Sequence, residues 1–224
     1  MPAYRPITRS YRAICAILTF FLAHFWITGT LAAEPRVLIM RGWFNVFSTG
    51  MDTLAGKLKD RGINAEVAGH YHWDTALNEI LRERAAGNTA PIVLIGHSQG
   101  ANNAVVLAHS LNAHRVPVDL LITVAPFLQH AIPGNVARAI NYYQSPGWGT
   151  PIVPEPGFQG RLTNVDLASD LTIFHITIDK SSKVQEAIVR EVADVQARPF
   201  IPDKPMAARP HTPRGPLSYA PATR

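Results

Sequence analysis

Short apolar runs alternate along the chain with stretches in which apolar residues recur every three or four positions. The runs predict β-strands near 37–40, 65–69, 92–95, 120–124, 139–143 and 171–175, and the helical periodicity predicts helices at 51–61, 75–86, 101–114 and 183–194. Asp74 stands as a candidate N-cap of the second helix, and Ser181 or Ser182 as that of the fourth. Continuously apolar strands interleaved with helices are the pattern of a parallel sheet covered on both faces. The expected fold class is therefore α/β, a three-layer sandwich around a mainly parallel, doubly wound sheet of about six strands. No internal repeat interrupts it.

The ends of the chain break this pattern. Residues 1–33 carry Arg5, Arg9 and Arg12, then an apolar stretch, then the small residues Ala32 and Ala33, which together read as a secretory signal. An uncleaved anchor is the alternative, because 13–33 is about the length that spans a bilayer; membrane contact is then confined to this segment. Residues 197–224 hold seven prolines and few large apolar residues, so they read as a disordered tail. That leaves 34–196 as one folded domain, in a protein expected to be secreted or periplasmic. Cys15 is the single cysteine of the 224 residues, so cleavage near Ala33 leaves no thiol for catalysis, metal binding or a disulfide.

The formal charge of +5 suggests nucleic acid until its distribution is read. Residues 34–196 contain 13 basic and 15 acidic residues, and the excess of positive charge lies in the two ends. So nearly neutral a domain implies no basic groove for phosphates, and no nucleic-acid partner is expected.

The candidate chemistry is concentrated at Gly96-His97-Ser98-Gln99-Gly100, directly after the apolar run Ile92-Val93-Leu94-Ile95 and directly before a helical stretch. A serine between glycines at a strand-to-helix junction is the nucleophile elbow, in which the residues two before and two after the serine must be small enough for strand and helix to pass closely. Ser98 is the candidate nucleophile. A serine hydroxyl needs a base to take its proton, which calls for a histidine at another strand end. His175 is downstream in the segment Phe174-His175-Ile176-Thr177-Ile178-Asp179, whereas His97 is inside the elbow, His109 and His114 fall on the following helix, and His130 precedes the fifth strand.

On these residues the chain resembles the α/β-hydrolase superfamily, in its lipase, esterase and thioesterase branch, across about residues 36–196. The resemblance implies a lidless type, because the 127–136 stretch is too short for the cap that larger members insert. It also implies His175 as base and an orienting acid between Ser98 and His175. The usual place for that acid, around Asn141 to Pro146, has no carboxylate. Asp166 is preferred because its apolar neighbours suggest partial burial; Asp170 and Glu155 are alternatives. The implied oxyanion donors are the backbone N–H groups of Gln99 and Trp43, although Arg41 stands where many lipases have histidine.

His70 and His72 share a strand face, as metal ligands can, but no third ligand accompanies them at diagnostic spacing, so neither metal nor cofactor is expected. The function implied is a serine hydrolase acting through an acyl-serine on small-molecule or lipid-like carboxylic esters or thioesters. An acyltransferase using the same acyl-enzyme and a non-catalytic binding domain of the same fold are the alternatives.

Overall fold

The computed structural model describes residues 33–43, 48–69, 72–147 and 149–197. The expected leader and proline-rich tail lie outside the described residues, as does His70.

Six strands form one sheet: β1 (Arg36–Arg41), β2 (Ala65–Gly69), β3 (Ile92–His97), β4 (Leu120–Val124), β5 (Arg138–Tyr143) and β6 (Arg161–Asp166). All neighbours are parallel, in the order β2-β1-β3-β4-β5-β6. Four helices cover it: α1 (Gly50–Lys59), α2 (Trp73–Ala85), α3 (Gln99–Ala113) and α4 (Ser182–Ala197).

The unbroken apolar character of the inner strands has a direct cause. Successive side chains point to opposite faces, and both faces are buried. From β1, Val37 and Ile39 pack with Met51, Leu54 and Leu58 of α1 and with Ile188 and Val192 of α4. Leu38 and Met40 pack on the other side with Ile80 of α2 and Leu107 and Leu111 of α3. Leu94, in the middle of β3, has no exposed surface, and its truncation to alanine costs about 2–5 kcal/mol.

One expected strand is absent and another takes its place. Residues 171–175 form turns, and β6 lies ten residues earlier. The turns are held locally: Asp170 Oδ1 accepts the Thr172 N–H at 3.1 Å, and Thr177 Oγ1 accepts the Phe174 N–H at 2.8 Å. Such side-chain bonds give the backbone an alternative to a strand ladder. β6 was hidden because it is a polar edge strand, with only Leu162 and Val165 turned toward the two core layers. At the helix ends, α2 begins one residue before Asp74, with His72 in the cap position. Ser181 precedes α4 and presents Oγ to the Val184 N–H at 3.5 Å.

From β1 the chain moves outward to β2, then returns past β1 to β3 and proceeds the other way. The order therefore switches between β1 and β3, which places a crevice outside the carboxyl ends of those strands. Gly42 leaves β1 there and Ser98 leaves β3 there.

Candidate active site

Ser98 adopts φ 55° and ψ −122°, a backbone conformation that costs a non-glycine residue about 1–3 kcal/mol. Its surroundings hold it there. The Ser98 N–H donates to the Val124 carbonyl at 2.9 Å, and the Ser98 carbonyl accepts the Ala101 N–H at 3.0 Å as α3 begins. The flanking glycines are required sterically: a Cβ on Gly96 would lie 2.3 Å from the Gly100 carbonyl oxygen, and a Cβ on Gly100 would lie 2.3 Å from that of Met40. The first turn of α3 is thereby packed against the end of β1.

Ser98 Oγ is 2.9 Å from His175 Nε2. Burial, and then the neighbouring imidazole of His97, push His175 down to a pKa of about 4, so the ring is neutral at physiological pH. A neutral imidazole has one accepting nitrogen, and with Nε2 in that role it can take the serine proton. His175 reaches this position from the loop after β6 rather than from a strand.

Each carboxylate that the resemblance offers as third member has partners of its own. Asp166 ends β6 and is exposed rather than partly buried; its carboxylate accepts the N–H and hydroxyl of Ser145 and the N–H of Ala168. These bonds hold its pKa below the usual carboxylate range, the Ser145 hydroxyl contributing most. Asp170 accepts from the N–H and hydroxyl of Thr172, and Glu155 lies 3.8 Å from His109 Nδ1. What the structure brings together is Ser98 with His175.

Two further polar side chains are buried, one in the elbow and one shortly after His175. His97 is 1% exposed, with its ring 5.2 Å from that of His175. Asp179, fully buried four residues after His175, accepts the Gly50 N–H at 2.9 Å and so caps the start of α1, while burial raises its pKa to about 6. The signal available for His97 was its place as the last residue of an apolar strand, where a polar side chain is buried and must find partners.

A parallel six-stranded sheet with a serine elbow after its third strand, at the switch point and facing a histidine from the loop after the last strand, decides the architecture. The chain has the α/β-hydrolase fold. Among solved structures, it is similar to a protein from Xanthomonas campestris pv. campestris described as a hydrolase of the α/β superfamily, at 18% identity and a TM-score of 0.40 over 73% of this chain and 98% of that one. It is also similar to RedJ, a thioesterase from the prodiginine pathway of Streptomyces coelicolor, at 12% identity and a TM-score of 0.42 over 74% and 91% of the two chains. A third is BorB, a type II thioesterase from the borrelidin cluster, at 12% and 0.41 over 71% and 93%. No family model and no curated protein matches the chain.

In this α/β-hydrolase fold, Gln99 is the first residue of α3, so its N–H has no acceptor within its own helix and faces the start of the dipole. The Gly42 N–H is committed to Ser48 Oγ at 2.9 Å, and the Trp43 peptide follows it. Apolar side chains are exposed on the segments that follow β1 and β4 and on the two sides of His175. Trp43, Phe127, Phe174 and Ile176 are each more than half exposed, and the Trp43 and Phe127 rings are 6.4 Å apart. The Phe127 segment is anchored from beneath by buried Asn102 of α3, which accepts the Phe127 N–H at 2.9 Å. Of the two histidines that share a strand face in the sequence reading, His72 occupies the N-cap position of α2 with no side-chain capping bond.

Proposed function

We propose that the protein is a serine hydrolase of carboxylic esters or thioesters with an apolar acyl group. The observation that carries this reading is the 2.9 Å approach of Ser98 Oγ to His175 Nε2 on a strained elbow. In the proposed reaction Ser98 Oγ bonds to the acyl carbon while its proton passes to His175 Nε2. The N–H groups of Gln99 and Trp43 hold the negative carbonyl oxygen. His175 then returns the proton to the departing alcohol or thiol, leaving acyl-Ser98. Water attacks that ester with His175 again as base, and the acid is released.

The preference for an apolar acyl group is supported by Trp43, Phe127, Phe174 and Ile176, exposed on the segments that follow β1 and β4 and on the two sides of His175, since exposed apolar side chains mark where apolar ligands bind. Secretion or export to the periplasm is part of the proposal, supported by the leader pattern of residues 1–33.

The test combines a fluorophosphonate probe with a series of p-nitrophenyl esters of increasing acyl length. We expect stoichiometric labelling of Ser98, absent in Ser98→Ala, and kcat/KM that rises with acyl length beyond acetate. Turnover that survives in Ser98→Ala would remove the assignment.

A further inference from the structure

His175 is not carried by a strand, so its position has to be maintained by contacts from the loop that bears it. One of these has a definite direction. His97 Nε2 lies 2.9 Å from the backbone carbonyl oxygen of His175, which can only accept, so Nε2 carries the proton. In the neutral ring, Nδ1 is then the acceptor, and the group it meets at 2.8 Å is the hydroxyl of Ser48, which donates. Ser48 Oγ in turn accepts the N–H of Gly42, which can only donate. The order Gly42 N–H to Ser48 O–H to His97 Nε2–H to the His175 carbonyl leaves no other tautomer at His97 that satisfies each group. Ser48 and His97 are both 1% exposed, and burial drives the His97 pKa down to about 4, which keeps the ring neutral.

We infer that His97 is a positioning residue. Through this hydrogen-bond chain it fixes the backbone of His175 to the elbow and to the loop that follows β1. His97 suits the role because its own backbone is held in β3, in register with Val124 of β4. Gly42, at the other end of the chain, is packed so closely that a Cβ there would lie 3.1 Å from Ser98 Cβ. One buried chain therefore ties together the segments bearing the base, the nucleophile and the proposed Trp43 donor. The inference rests on the serine-hydrolase reading. A shift of about 1 Å in a catalytic group costs on the order of 100-fold in rate, so loosening this tether acts on kcat rather than on substrate binding.

Three variants test it, with Ser98 labelling and steady-state kinetics read on each. His97→Leu removes both bonds. His97→Gln keeps an N–H donor at the reach of Nε2, and Ser48→Ala removes the hydroxyl that fixes the tautomer. We expect His97→Leu to lower kcat by about 100-fold with KM within about threefold of wild type, and His97→Gln to recover about tenfold of that loss. Ser48→Ala should lower kcat by about tenfold. Nitrogen NMR of the wild type should show His97 as the Nε2–H tautomer near neutral pH, a readout that does not depend on the variants folding. A wild type that ignores the fluorophosphonate overturns the hydrolase reading and this inference with it. A reactive wild type overturns the inference alone if His97 is the Nδ1–H tautomer, or if folded variants keep kcat within threefold.

Discussion

Asn102 holds Leu128 by both edges of its backbone: Oδ1 accepts the Leu128 N–H at 3.1 Å, and Nδ2 donates to the Leu128 carbonyl at 2.8 Å. The same Oδ1 takes the Phe127 N–H, so one buried side chain substitutes for a strand partner beneath the exposed Phe127. Asn102→Ala should cost about 1–3 kcal/mol of stability through the polar groups it leaves unpaired. Asn102→Asp should be no milder, because a second acceptor then faces the Leu128 carbonyl. For both, KM for long-acyl p-nitrophenyl esters should rise several-fold while KM for acetate stays near wild type. Equal changes on both substrates would count against Phe127 as an acyl contact.

The backbone of Ser98 offers a test in which stability and activity move apart. Ser98→Ala and Ser98→Gly both lose the proposed nucleophile and should show no turnover. Glycine also relieves the positive φ that alanine must bear, so Ser98→Gly should be more stable than Ser98→Ala by about 1 kcal/mol in urea denaturation.

The glycines of the elbow should tolerate no side chain. A methyl group at Gly96 or Gly100 meets backbone rather than a movable side chain, at 2.3 Å in each case. Gly96→Ala and Gly100→Ala should each cost about 3 kcal/mol or more, seen as a lowered denaturation midpoint or as insoluble protein. Gly56→Ala, with open space around it on α1, should leave the midpoint unchanged or raised.

The pH dependence has two parts of opposite sign. The folded pKa of His175 is depressed to about 4, so the accepting form survives well below pH 6.5, and the acid limb of kcat/KM should fall near pH 4 to 5. Depressed His97 and His175 also make stability rise with pH between about 4 and 6.5, where the unfolded chain binds protons that the folded one excludes. Asp179 acts the other way: its pKa is raised to about 6, so its contribution is fully present below pH 3.8 and is lost as pH rises through 6. Asp179→Asn should therefore steepen the rise in stability between pH 4 and 6. A flatter profile in that variant would contradict the placement of Asp179.

Much of this fold was legible because burial on two faces leaves a strong mark on composition. The strands at Ala65–Gly69 and Leu120–Val124 coincide with the runs read from the sequence, and the elbow showed itself in its glycines. What failed was at the β6 edge of the sheet. β6 needs only Leu162 and Val165 for the two core layers, so its sequence looks like a loop, while Leu171-Thr172-Ile173-Phe174 looks like a strand and is pinned into turns by Asp170 and Thr177. That shift moves Asp166 to the exposed end of an edge strand. The sequence placed His97 inside the elbow but not its bonds, because periodicity reports whether a position is buried, not which hydrogen bonds a buried imidazole makes.

The strand order also dictates how this chain must find its structure. β1 pairs with both β2 and β3, and its partner in register for Val37 on β3 is Val93, far along the chain. Every contact in the sheet is a parallel crossover, with no hairpin to close early, so loop-closure entropy must be met repeatedly before the sheet holds together. Folding should be slow for a protein of this size, and β3, α3 and β4, adjacent in sequence and in space, form the natural nucleus. β1, which precedes both of its partners in sequence, should join after them, and the loop that carries His175 should dock last. In refolding experiments, burial of the core should precede the recovery of Ser98 reactivity.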